Sequence, residues 1–258
     1  MRKIAIVGFK GGIGKTTTCV NLGAALALRG HKVLLIDTDT QANLAVALGI
    51  KKVDKTLSDV LARRITAEEC IIPARKNLDL IPSDINLFKA QQRMVLEMAR
   101  EEIFDELLSG LTGYDYQILD CAPSVTLLTI NALSYVDEVF IPVSMEMLAL
   151  TSVQQFIDYL KEIHTSLGKG AEIRLIIPTM YDPRRKISAK VLKLLQKLGP
   201  RVADPIWVDT KLSEAPGKGK TIFEYAARSR GAVGYAKLTE LVATMPPLAK
   251  NSKHPVKI

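Results

Sequence analysis

Six short apolar runs recur along the chain: KIAIV (3–7), KVLLI (32–36), LDLI (78–81), YQILD (116–120), EVFIPV (138–143) and EIRLII (172–177), with helix-length stretches between them. The runs are nearly continuous in hydrophobicity instead of alternating, which is the pattern of strands covered on both faces. They predict a doubly wound, mainly parallel α/β sheet with helices on each side. Threonines open the stretch 16–29 and Gly30 closes it, while 149–165 places apolar residues at 150, 153, 156, 157, 160 and 163, one face of a helix. A last periodic helix is expected at about 232–245, stopping at Met245-Pro246-Pro247. No internal repeat, low-complexity tract or linker divides the chain, so residues 1–245 are expected to form one domain and 246–258 a flexible basic tail.

Ligands of such sheets sit at the carboxyl ends of the strands, and three candidate motifs fall there. The first, GFKGGIGKTTT (8–18), follows a strand and opens a helix. Its glycines 11, 12 and 14 allow positive φ and close backbone approach, so successive N–H groups can converge on a phosphate at a helix N-terminus. Lys15 would supply a point charge to the β- and γ-phosphates, and the Thr16 hydroxyl a ligand to Mg²⁺. The loop departs from G-x-x-x-x-G-K-[ST] in holding Phe9 where the first glycine belongs. The second motif, DTDTQ (37–41), sets Asp37 and Asp39 at a strand end, one able to hold a metal-bound water and the other to orient an attacking water. The third, ILDCAPS (118–124), ends a strand in Asp120, suited to reaching Mg²⁺ through its water shell. Lys10 stands apart. A second ammonium on phosphates already served by Lys15 meets like-charge repulsion, unless it points across an interface toward another nucleotide.

The motif K-G-G-x-G-K-T-T resembles the deviant Walker loop of the ParA/MinD family of P-loop ATPases. DTDTQAN (37–43), ILDCAPSVTLLTINAL (118–133) and LSEAPGKGK (212–220) resemble further motifs of its short ParA/Soj members in family order, and the similarity runs from about residue 3 to 245. The resemblance implies an ATPase that uses ATP and Mg²⁺ and closes as an ATP-sandwich homodimer. Lys10 then is the signature lysine reaching the partner's phosphates, Lys15 the Walker lysine and Asp39 the residue that orients water. Thr16, Asp37 and Asp120 surround the metal. Lys10, Gly11, Gly12, Ile13, Gly14, Lys15, Thr16 and Thr17 form the phosphate cradle, and Asp182, Trp207, Val208 and Asp209 fall at base-facing positions. Thr40 and Ala122 replace usual prolines, and Trp207 replaces another; its indole could stack on adenine or pack into the core.

Charge adds a partner. The 258-residue chain carries a net +8 with a pI near 9.3. Between Arg184 and Arg230 there are twelve basic residues (Arg184, Arg185, Lys186, Lys190, Lys193, Lys197, Arg201, Lys211, Lys218, Lys220, Arg228, Arg230) against four acidic ones (Asp204, Asp209, Glu214, Glu224), so this segment holds the whole surplus. Such a concentration suits nucleic acid or an anionic membrane. By the resemblance, Arg184 and Lys211, with Arg185 and Lys186 alongside, are expected to make non-specific, salt-sensitive contacts to double-stranded DNA. A ParB-like activator is expected to stimulate an otherwise slow turnover. With no extension before Arg2 for an operator-reading helix-turn-helix, the chain reads as a short form, cytoplasmic and nucleoid-associated, moving a chromosome, a plasmid or a protein assembly.

Three rivals share parts of this pattern. A MinD-like membrane ATPase needs an amphipathic C-terminal helix, and the tail lacks bulky apolar residues on one face. A metal-cluster carrier needs clustered cysteines, whereas Cys19, Cys70 and Cys121 lie far apart, and buried reduced thiols are the expectation. A module that binds nucleotide only structurally has no use for Lys15 and Asp39.

Overall fold

The computed structural model describes residues 1–168 and 170–248. Its strands are β1 (Arg2–Ile6), β2 (Val33–Asp37), β3 (Ile72–Arg75), β4 (Leu78–Ile81), β5 (Tyr116–Asp120), β6 (Glu138–Ser144) and β7 (Glu172–Thr179). They form one sheet in the order β3-β4-β2-β5-β1-β6-β7. Each expected run forms a strand; 78–81 and 116–120 match at both ends, and the other four differ by a residue or two. All pairings are parallel except that of β3 with β4. The sheet matches the P-loop nucleotide-binding fold that the apolar runs and the loop predict.

β3 is the strand that the apolar pattern does not predict. It is a four-residue antiparallel edge whose pairing is irregular between Pro73 and Arg75. Proline donates no ladder hydrogen bond and is tolerated there because the edge makes only half the bonds of a central strand.

Alternate residues of the central strands feed two cores. Ile4, Ile6, Leu35, Ile118 and Phe140 meet the helix Lys15–Leu28 and the last helix, Arg230–Thr244, on one side. Ala5, Val7, Ile36, Leu119 and Ile141 meet the helix Met147–Leu167 on the other. That helix buries Ala149, Val153, Phe156, Ile157, Leu160 and Ile163, the stripe that its spacing predicts, with Leu150 half-buried at the margin. The last helix starts earlier than its pattern suggests because the Ser229 side chain caps it, accepting from Ala232 N–H. Of the expected basic tail, residues 249–258 lie outside the described residues.

At the amino end of the sheet, Arg2 donates to both oxygens of Glu138 (2.7 and 2.6 Å) and to the Val242 carbonyl (2.5 Å), tying β1, β6 and the last helix together. At the carboxyl end, Gly8 follows β1, and Asp37, Asp120, Ser144 and Thr179 close β2, β5, β6 and β7. Asp120 pairs in register with Ile6 on one side and Asp37 on the other, so the loop after β1 opens directly above two carboxylates.

Candidate nucleotide site

The loop after β1 turns through Gly12 (φ 73) and Gly14 (φ 89), both in the left-handed region that favours glycine, and the helix begins at Lys15. The Thr179 hydroxyl pins the loop from β7 by donating to the Ile13 carbonyl at 2.9 Å. Phe9 also anchors it. Its ring meets Phe156 edge to face at 5.0 Å and Tyr159 at 5.6 Å, fixing the loop to the helix Met147–Leu167. The aromatic at the first-glycine position is thus a packing contact. Gly11 and Gly12 stand exposed at the tip, Ile13 is buried, and Thr16 and Thr17 are half-buried in the first helical turn.

The two lysines behave differently. Lys15 is buried and spans the inside of the loop, its Nζ donating to the Lys10 carbonyl at 3.0 Å. Burial lowers its pKa, partly offset by Asp120. Lys10 points outward and pairs with Glu146, just past β6, and this contact holds the Glu146 carboxyl below its usual range. The loop therefore closes around one ammonium and presents the other at its rim.

Below the loop the carboxylates divide in the same way. Asp37 spends both oxygens on its own segment, accepting from Asp39 N–H (3.0 Å) and Leu44 N–H (3.1 Å), which fixes the turn that carries Asp39. Ser83 steadies that turn through a 2.6 Å bond to the Asp39 carbonyl, and Asp39 itself accepts from Gln41 N–H at 3.1 Å. Asp120 is as deeply buried, yet among the described residues neither of its oxygens has a hydrogen-bond partner. Burial raises both carboxyls, Asp37 to about 6 and Asp120 to about 8, the latter pushed further by Asp37 and drawn back by Thr16 and Lys15. An orphaned carboxylate within reach of a threonine hydroxyl and a lysine fits a hard cation that keeps most of its waters, as Mg²⁺ does.

Beside the loop lies a cavity of about 400 Å³, lined among others by Gly14, Thr17, Ser144, Trp207, Asp209 and Tyr235. Its size suits a small ligand. Trp207 is 38% exposed on the wall and outside the core, with the Arg230 guanidinium 5.4 Å over its ring and Tyr181 6.0 Å away. Val208, half-exposed, donates its N–H to the Tyr181 carbonyl at 2.9 Å. Asp209 caps the helix Thr210–Glu214, accepting from Lys211 N–H, and bonds Gly231 N–H as well (3.0 and 2.8 Å). Asp182, expected to face the base, is held by Arg184 through two side-chain bonds of 2.9 Å.

Of the residues expected on DNA, Arg185 lines the cavity, Lys186 opens the helix Lys186–Leu195 in solvent, and Lys211 pairs with Glu214 at 2.8 Å. Among the described residues no group of three or more His, Cys, Asp or Glu side chains is placed to hold a metal. All three cysteines are free and buried, and burial pushes Cys121 up to about 12, which makes it a poor thiolate ligand. No helix among the described residues is long and apolar enough to cross a membrane. Glu146, Ser83 and Thr179 escaped the sequence reading. All three lie at or just past strand ends, where every polar residue warranted attention.

Fold and loop together define a P-loop nucleotide-binding protein, and known proteins narrow the class. A family described as an AAA domain matches residues 1–173. The sporulation initiation inhibitor protein Soj of Bacillus subtilis is 39% identical over 249 residues, covering 93% of this chain and 97% of Soj. The chromosome partitioning protein ParA of Caulobacter vibrioides is 35% identical over 250 residues, covering 94% of each chain. Among solved structures, the septum site-determining protein MinD of Pyrococcus horikoshii, complexed with Mg-ADP, superposes with a TM-score of 0.78 at 28% identity, over 94% of this chain and 96% of that one. The chain belongs to the ParA/MinD family of partition ATPases.

Proposed function

We propose that this protein is an ATP-dependent DNA-partitioning ATPase whose ATP-bound form is a sandwich dimer that holds DNA without regard to sequence. The observation that carries this reading is Lys10, which stands at the rim of a phosphate loop already closed around Lys15 and is paired there with the exposed carboxylate of Glu146. In a dimer closed across two nucleotides, Lys10 exchanges Glu146 for the partner's phosphates, so ATP links the two chains. Paired chains present two basic surfaces to one duplex, which raises the effective concentration of the second contact. Hydrolysis removes the phosphate that Lys10 held, and the dimer opens.

Within one protomer the loop N–H groups and Lys15 bind and orient the phosphates, and Thr16 and Asp120 hold Mg²⁺. When bound, that ion neutralises charge on the phosphates. Asp39, on the turn fixed by Asp37 and Ser83, orients the attacking water. Trp207 borders the base. Turnover is slow until a ParB-like partner engages the dimer, and DNA binding keeps the protein on the nucleoid.

Binding to non-specific duplex DNA with ATP, ADP or no nucleotide, over a salt series, tests this reading. ATP alone should confer tight, salt-sensitive binding that Arg184→Glu/Lys211→Glu loses. Equal binding in all three states, or none with ATP at low salt, overturns it.

A further inference from the structure

Two of the four residues assigned to DNA by family resemblance are paired within their own chain. Arg184 is clamped on Asp182 and Lys211 on Glu214. A second set, to which Lys186 also belongs, is unpaired among the described residues. Lys186, Lys190, Lys193 and Lys197 are exposed, and their side chains make no hydrogen bond or ion pair among the described residues. From residue 183 to 203 the sequence contains no Asp or Glu that could pair with them.

Their spacing puts them in a row. Offsets of four, three and four residues keep all four within an arc of about 60° on a helix of 3.6 residues per turn, over a length of about 16 Å. The helix Lys186–Leu195 buries Ser188, Val191 and Leu195 on its opposite side, so the lysines face outward, with Lys197 in the turn just past the helix. The row is also opposed by the helix itself. Its first turn holds no acidic residue and begins with Arg185 and Lys186, cations at the positive end of the helix dipole. Among the described residues the helix's own first turn supplies no acidic residue to offset this, whereas a row of phosphates would.

We propose that this outward face, from Lys186 through Lys190 and Lys193 to Lys197, is a contact surface for the phosphate backbone of duplex DNA. It rests on the DNA-binding reading above, which already includes Lys186, and extends it to Lys190, Lys193 and Lys197. The chemistry favours a duplex over the other polyanions. A membrane-surface helix sinks the apolar residues flanking its lysines into the bilayer, but here Ile187, Leu192 and Leu198 pack against the core. Single-stranded nucleic acid calls for aromatic side chains between the cations, and none occurs between Tyr181 and Trp207. Lysines on a rigid helix instead meet a regular phosphate row and read no bases.

The test measures the full chain, with ATP and Mg²⁺, on a random-sequence duplex over a salt series. Each phosphate contact contributes about 0.9 to the slope of log affinity against log salt. Lys190→Gln/Lys193→Gln/Lys197→Gln should lower that slope by about 2.7, Lys193→Gln alone by about 0.9, and the triple change to Arg should keep it. Thermal melting and basal ATP turnover of these variants should match wild type, since the side chains lie outside the site. An unchanged slope in the triple Gln variant, while wild type binds and Arg184→Glu/Lys211→Glu does not, overturns this surface and leaves the DNA reading standing. Failure of wild type to bind overturns both. Loss of binding to phosphatidylglycerol vesicles with DNA binding intact also overturns it, in favour of a lipid surface.

Discussion

Glu138 and Asp120 are equally buried, each 1% exposed, and they sit on the two strands that flank β1, at opposite ends of the sheet. Glu138 is fully engaged: Arg2 takes both its oxygens, and Arg174 lies 3.6 Å away. Asp120 has no hydrogen-bond partner on either oxygen among the described residues. Burying a carboxylate is costly in both places, and only one is compensated within the chain. The amino end of the sheet is therefore built for stability, and the carboxyl end retains an unmet demand that a cation and phosphates can satisfy.

The comparison breaks most severely at Glu138. Glu138→Ala leaves Arg2 buried without its partner and should cost about 3–5 kcal/mol in urea unfolding, with ADP affinity of the folded fraction unchanged. A site variant should do the reverse. Lys15→Ala should lower ATP turnover about 10²- to 10³-fold while leaving the unfolding midpoint near that of wild type, as a coupled assay and a melt will show.

Asp120→Asn sharpens the contrast through pH. The folded-state pKa of Asp120 is raised, so the neutral carboxyl stabilises the nucleotide-free protein at low pH, and that contribution is lost as pH rises toward about 8. Wild type should lose melting temperature over this range without Mg²⁺ and nucleotide and recover it with them. Asp120→Asn should show a smaller loss, the remainder belonging to Asp37, and a smaller recovery. The smallest effect belongs to Glu146→Gln, at the exposed pair with Lys10. Its melting should match wild type, and ATP-dependent association should occur at lower protein concentration because Lys10 is already free.

What the sequence discloses follows from where each feature is encoded. Strands covered on both faces leave unbroken apolar runs, so the central sheet could be read directly, whereas β3 carries a proline and is defined only by β4 beside it. The phosphate loop is legible because Gly12 and Gly14 are required by local backbone geometry. Glu146 and Thr179 act across 136 and 166 residues of chain, and no local pattern records such contacts. Phe9 was visible as a departure, but its reason, packing on Phe156, lies 147 residues away in another helix. Trp207 could be placed near the base by resemblance alone; only the fold shows it on a cavity wall beneath Arg230.

The most direct test of the account is the mass of the protein in solution by sedimentation, with Mg²⁺ and either ATP or ADP, for wild type and Lys10→Ala. The account predicts a dimer for wild type with ATP, and monomers for wild type with ADP and for Lys10→Ala with either nucleotide. A wild-type monomer in ATP, or a Lys10→Ala dimer as stable as wild type, would contradict it.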